Sequence, residues 1–152
     1  MEIAIITYEQ QYAAEFKRLN LEWLDKYSLT EEADLAVLND PEKEILLIGG
    51  CIFLAKVGDE IAGSCALIPE APGEYELAKM AVAPAFQGKG ISKLLLEKCL
   101  AEAVHKKANR IFLLSNSQLS TALTLYEKYG FQHIPVMGSH YVTADVMMEK
   151  II

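Results

Sequence analysis

Met80-Ala81-Val82-Ala83-Pro84-Ala85-Phe86-Gln87-Gly88-Lys89-Gly90-Ile91-Ser92-Lys93 carries the strongest structural signal in the chain. An apolar strand runs into a turn containing Gly88 and Gly90, and a helix follows at once. Backbone at a glycine approaches a ligand closely and adopts angles that other residues avoid. The first N–H groups of a helix lack internal partners, and together with the helix dipole they make a ready site for phosphate. Lys89 and Lys93 add positive charge beside them. Gln87, Gly88, Lys89, Gly90, Ile91, Ser92 and Lys93 therefore read as a pyrophosphate cradle at the mouth of a βα unit, against the plainer alternative of an ordinary strand–helix junction. Two common cradles are excluded. The spacing Gly-x-x-x-x-Gly-Lys-Ser/Thr is absent, and Gly-x-Gly-x-x-Gly fails because position 93 is Lys.

What remains is Gln-x-x-Gly-x-Ser, and a second block lies downstream: Ser115-Asn116-Ser117-Gln118-Leu119-Ser120-Thr121-Ala122-Leu123-Thr124-Leu125-Tyr126-Glu127-Lys128-Tyr129-Gly130-Phe131. The first motif resembles the Gln/Arg-x-x-Gly-x-Gly/Ala signature of the GCN5-related N-acetyltransferases (GNAT), with Ser92 at the sixth position. The Ala-x-x-Leu-Tyr-Glu-Lys-x-Gly-Phe portion of the second block is similar to that family's second signature. The two stand in the right order with a strand between them, the context that motif reading requires. The resemblance is strong from Leu77 to Phe131 and looser on either side.

The resemblance implies a GNAT-like α/β fold: one domain over residues 1–152, with a mixed, twisted sheet, helices on both faces and a splayed parallel strand pair. It implies that acetyl-CoA, as acyl donor, enters the splay. Backbone groups of Met80, Ala81 and Val82 then lie along the pantetheine arm, with Gln87 to Lys93 around the pyrophosphate. The implied reaction is direct acyl transfer to a primary amine of a small molecule or protein. Tyr126 matches the family tyrosine that donates to the leaving sulfur, and the N–H of Val82 or Met80 polarises the carbonyl. A phenol, with an ordinary pKa of about 10, stays protonated at neutral pH. Asn116 is a candidate hydrogen-bond partner of the pantetheine, although the family asparagine falls at the position of Leu119 here. A non-catalytic acyl-CoA-binding or sensing module is the alternative reading.

For the base that takes the amine proton, Glu76 leads, with Glu74 second and a water relay the third option. Glu76 precedes a slip in strand alternation: Leu77 and Lys79 share one phase, Met80 and Val82 the other. Such a slip predicts a β-bulge. Trp23, Tyr27, His140 and Tyr141 are candidate aromatic walls of the acceptor pocket; for Trp23, core packing is favoured.

Composition bounds these readings. The chain has 152 residues, enough for one core, with 52% hydrophobic and 23% charged residues. A net charge of −7 argues against a nucleic-acid binder; the favoured reading of the charge is a plain soluble acidic surface, with attraction of a cationic amine as the other. Cys51, Cys65 and Cys99 show no paired spacing, and reduced thiols point to a cytoplasmic setting. His105, His133 and His140 form no ligand grouping, so no metal is expected. No stretch has the length of a membrane span, and no signal peptide is read. A homodimer is the commonest assembly for such a domain.

Periodicity predicts strands at 2–7, 51–57, 60–68, 74–82, 110–115, 131–135 and 141–149. It predicts helices at 10–27, 29–38 (capped by Thr30), 90–107 and 120–129. The 90–107 helix turns Ile91, Leu94, Leu95, Cys99 and Ala103 toward the sheet. Pro69 to Gly73 is read as a loop.

Overall fold

The computed structural model describes residues 2–139 and 141–152; His140 lies outside them. Among these residues the strands are β1 Ile3–Thr7, β2 Cys51–Val57, β3 Glu60–Ala71, β4 Glu74–Val82, β5 Arg110–Ser115, β6 Gln132–Ile134 and β7 Val146–Ile151. The helices are α1 Ala13–Lys26, α2 Glu32–Asn39, α3 Ile91–His105 and α4 Ser120–Lys128. One sheet runs in the order β1-β2-β3-β4-β5-β7-β6, antiparallel except for the parallel pair β4–β5.

Alternating side chains of the sheet feed two cores. Phe53, Ala55, Cys65 and Leu67 point to the face covered by α3 and α4, where Leu95, Leu96, Cys99 and Tyr126 pack. Ile52, Leu54 and Ala66 point to the other face and meet Phe16, Leu19 and Leu38 from α1 and α2. This is the two-residue strand period with helices on both faces. Gly63 permits close approach of α3, since a Cβ there would lie 2.9 Å from Ile91 Cγ2.

The bulge predicted in β4 is present. Ala66 opposes Ala78 and Ser64 opposes Ala81, so Cys65 alone stands against Lys79 and Met80. Lys79 takes φ +55°, in the left-handed region. The extra residue switches the strand's phase, and Leu77 and Val82 therefore reach the same core although one is odd and the other even. Ser64 Oγ donates to the Lys79 carbonyl at 2.6 Å, and Asn20 Nδ2 donates to Ser64 Oγ at 3.0 Å and to the Phe16 carbonyl at 2.9 Å. Ser64 and Asn20 are both buried, so this chain of polar atoms pins the bulge from inside.

Several boundaries differ from expectation. β3 runs on through Pro69 to Ala71, because beyond the Cys51–Leu67 pair it neighbours only β4 and proline is tolerated there. Thr30 does not cap α2. Glu31 does, in a reciprocal capping box with Asp34, while Thr30 Oγ donates to Asp25. In α3, Leu94 is 37% exposed and Leu96 takes the buried place expected of it. The strand expected from Tyr141 starts only at Val146, because the N–H groups of Val142 and Thr143 donate to the Glu31 carboxylate instead of to a ladder.

Ser64→Ala leaves the Lys79 carbonyl and one Asn20 donor unpartnered in the core. The expected loss of stability is about 1–3 kcal/mol by urea denaturation. A loss below about 0.5 kcal/mol contradicts the pinning role.

Candidate active site

The β4–β5 ladder pairs Glu74 with Arg110, Tyr75 with Ile111 and Glu76 with Phe112, and ends there. Beyond Glu76 the bulge turns β4 aside and the parallel strands part. A cavity occupies the gap. Its walls include Glu76, Met80, Leu113, Asn116 and Tyr126 on the side of the splay, and Trp23, Leu24, Leu29 and Tyr141 on the side of α1 and the 141–145 segment.

The glycine turn follows the same strand. A short 3-10 turn, Pro84–Phe86, leads to Gln87, whose Nε2 donates back to the Val82 carbonyl at 3.3 Å. Gly88 and Gly90 take φ +76° and +82°, and no atom lies within 4 Å of a Cβ built at either. Gly90 is the N-cap of α3, and the first helical bond in this segment runs from the Leu94 N–H to the Gly90 carbonyl at 3.2 Å. The N–H groups of Ile91, Ser92 and Lys93 are thus the open donors of the first turn. The Ile91 side chain is buried in the core between α3 and the sheet, which leaves its backbone at the turn, while Lys89 and Lys93 stand exposed beside it. An open, positively dressed helix start fits a pyrophosphate. The side chains of Ala81 and Val82 are buried in opposite cores, leaving backbone as what they offer.

Tyr126 is buried, with its ring 5.9 Å from that of Phe131. Burial raises its phenol pKa, and the nearby Cys65 and Cys99 thiols act in the same direction, so the hydroxyl keeps its proton. Glu76 is buried on the last rung of the closed ladder and lines the cavity with Tyr126. Glu74 is placed differently. Its carboxylate accepts from Arg110 Nη1 at 3.0 Å at the closed end of the pair, outside the cavity wall, and Arg110 Nε also reaches Glu149 at 2.7 Å. Asn116 reaches the cavity, but Nδ2 donates to the Thr143 carbonyl at 2.8 Å and Oδ1 accepts the Gln118 N–H at 3.0 Å. It holds the 141–145 segment. Trp23 both packs on the core and lines the cavity; Tyr27 meets Trp23 edge-on, ring centroids 5.5 Å apart, and stays out of the cavity.

Four residues that the sequence reading did not place at the site, Asn20, Glu31, Asp34 and Lys79, brace the α1–α2 side of the cavity. The Lys79 ammonium, 5% exposed, lies 2.7 Å from Asp34 Oδ1, also 5% exposed, and 3.3 Å from the Tyr141 hydroxyl. Burial alone pushes this lysine's pKa down; Tyr141 and Asp34 outweigh it and hold the pKa above the ordinary value. Burial pushes the Tyr141 phenol up, Lys79 pulls it down, and Glu76 and Asp34 push it up again. Asp34 Oδ2 accepts the Glu31 N–H at 2.9 Å. Glu31 in turn accepts the N–H groups of Val142 and Thr143, each at 2.9 Å, and the Thr143 hydroxyl. The N-terminus of α2 thus clasps the bulge on one side and the 141–145 segment on the other. The sequence signal for Asp34 was its place in the first helical turn, and for Lys79 the phase slip; Asn20 and Glu31 gave none.

The comparisons with known proteins follow the same lines. The family model for the acetyltransferase (GNAT) domain matches residues 49–133, more than half of the chain. The chain belongs to the GNAT acetyltransferase family. It is an enzyme of the N-acetyltransferase class. The uncharacterized N-acetyltransferase YjgM of Escherichia coli K12 is 28% identical over 116 residues, covering 72% of this chain and 70% of that protein. The human N-acetylaspartate synthetase is 34% identical over 95 residues, which cover 62% of this chain and 31% of the synthetase. Among solved structures, a GNAT acetyltransferase from Staphylococcus aureus Mu50 superposes with a TM-score of 0.91 at 22% identity, covering 99% of both chains. The PaiA N-acetyltransferase from Thermoplasma acidophilum, solved with coenzyme A, gives 0.78 at 22% identity over the whole of both chains. Among the described residues, no helix is long and apolar enough to cross a membrane, and no group of three His, Cys, Asp or Glu is placed to hold a metal ion.

Hydrogen bonds from the 142–143 segment hold the Glu31 carboxyl below its ordinary pKa of 4.5, the Thr143 hydroxyl contributing most. A folded pKa below the unfolded one gives stability that is complete above pH 4.5 and lost as pH falls through the folded value. Glu31→Gln removes this acid-labile share. The expected result is a shallower fall of stability below pH 4.5 in denaturation curves taken at a series of pH values; an unchanged slope contradicts the clasp.

Proposed function

We propose that this protein, acting as a single domain, transfers the acetyl group of acetyl-CoA directly to a primary amine of a small molecule or a protein. The observation that carries the reading is convergence: Glu76, Met80 and Tyr126 line one cavity where β4 and β5 part, and the strand that forms one wall ends in the open glycine turn. The pyrophosphate sits on the backbone N–H groups between Gln87 and Lys93, and the pantetheine follows Met80, Ala81 and Val82 into the gap.

The neutral amine attacks the thioester carbonyl carbon and forms the C–N bond. Glu76, directly or through water, takes the amine proton. The N–H of Val82 or Met80 stabilises the oxyanion of the tetrahedral intermediate. The C–S bond then breaks, and Tyr126 gives its hydrogen toward the sulfur as negative charge develops there. The products are the acetamide and free coenzyme A; Glu76 releases the amine proton to solvent and Tyr126 recovers one from it. Burial keeps the Tyr126 phenol neutral between turnovers, the state its step needs.

Tyr126→Phe tests the acid. Turnover, read as released thiol, is expected to fall about a hundred- to ten-thousand-fold with acetyl-CoA affinity nearly unchanged. Near-normal turnover returns Tyr126 to a packing role.

Gly90→Val tests the cradle. A β-branched side chain strains φ +82° and fills the open space above the helix start, so acetyl-CoA binding is expected to weaken severely. Unchanged affinity in a folded variant contradicts the placement of the pyrophosphate.

A further inference from the structure

The polar chain that pins the bulge has a fixed direction. The Asn20 side chain meets the Phe16 carbonyl at 2.9 Å, so the atom there is the amide nitrogen, which only donates. The same Nδ2 lies 3.0 Å from Ser64 Oγ and gives it a hydrogen. The one hydrogen of the Ser64 hydroxyl is thereby left for the Lys79 carbonyl, 2.6 Å away. Asn20 and Ser64 are both buried, out of reach of bulk water.

The bonded carbonyl belongs to the peptide that also carries the Met80 N–H. That peptide is trans and planar, so its C=O and N–H point in opposite directions. Ser64 stands on β3, and β3 and β5 flank β4 on opposite sides. A carbonyl held toward β3 therefore turns the Met80 N–H toward the side of β5, where the ladder has ended at Glu76 and the cavity opens. The peptide follows a residue at φ +55°, a state that persists only when its surroundings over-determine it.

We propose that Ser64, set by Asn20, is a positioning residue of acetyl transfer: through the Lys79 carbonyl it aims the Met80 N–H at the oxygen of the thioester carbonyl. The proposal rests on the acetyl-transfer reading above. It deepens that reading by taking Met80 as the oxyanion donor and by naming the side chains that aim it. A preorganised donor strengthens its hold as charge develops on the oxygen, so its aim is felt in turnover more than in binding of the ground state. A serine that only stabilised the fold would produce no such split.

Two experiments test the proposal. In isotopically labelled wild-type protein, the Met80 amide is compared between the complexes with coenzyme A and with acetyl-CoA, which differ only by the acetyl group. A downfield proton shift of Met80 that acetyl-CoA produces and coenzyme A does not is the expected result. No difference at Met80, or a larger one at Val82, overturns the inference and leaves the transfer reading standing. Ser64→Ala is then assayed for thiol release with the fastest acceptor among 2-phenylethylamine, spermidine and L-lysine. Its kcat is expected to fall about ten- to a hundredfold, with acetyl-CoA affinity within about threefold of wild type. Asn20→Ala keeps the serine but frees its hydrogen to turn, and is expected to show a smaller loss with the same split. An unchanged kcat in folded Ser64→Ala overturns the inference, as does a loss confined to stability or to acetyl-CoA affinity. Absence of thiol release by the wild type with every amine counts against acetyl transfer itself, and the Met80 comparison then decides by itself whether the amide is aimed as inferred.

Discussion

Lys79 sits in β4 with φ +55°, a backbone state that costs a residue with a side chain about 1–3 kcal/mol. The surroundings compensate at both ends of the residue. Its carbonyl is held by Ser64, which is held by Asn20, and its ammonium is held by Asp34 and Tyr141. The extra residue has two consequences. It exchanges the two faces of β4, so that Leu77 and Val82 enter one core and Ala81 the other. It also lies three residues past the Glu76 rung, the last shared with β5, where the strands separate and the cavity opens. Fold and site both depend on this insertion.

The clasp around α2 extends the same constraint to distant parts of the chain. Asp34 joins the helix to the bulge, Glu31 joins it to Val142 and Thr143, and Asn116 ties Thr143 to the end of β5. Both lips of the cavity are thereby connected through side chains of one short helix. A buried ion pair is poor value as a source of stability, since desolvation opposes the Coulomb attraction. Its evident work here is geometric: it ties the first turn of α2 to the bulge of β4 in the wall of the cavity.

What could be read in the sequence was local in nature. The phase slip at Leu77–Val82 announced the bulge, the glycines at 88 and 90 announced the open helix start, and the apolar run at 110–115 gave β5 to the residue. The meeting of Glu76 with Tyr126 was legible only through resemblance to a family, because no periodicity relates positions on a strand and a helix so far apart. The contacts that were missed are remote in sequence: Lys79 and Asp34 are 45 residues apart, and Glu31 and Val142 are 111 apart. For the same reason Tyr141 to Asp145 looked like strand. Their alternation was adequate, but a carboxylate from the other end of the chain took the N–H groups a ladder would have needed. Thr30 was the better cap by propensity, and lost because Glu31 and Asp34 satisfy the helix start reciprocally.

The central claim is that the gap between β4 and β5, closed at Glu76 and opened by the bulge, is where acetyl-CoA binds. The most direct measurement is an amide NMR titration of the isotopically labelled protein with acetyl-CoA. The account predicts that the largest shifts fall on the backbone amides of Met80 to Val82 and of Gly88 to Lys93, with those around Asn116 and Tyr126 following. Shifts concentrated instead on the second concavity, lined by Glu15, Arg18, Asp59 and Pro84, with the glycine turn unmoved, would contradict it.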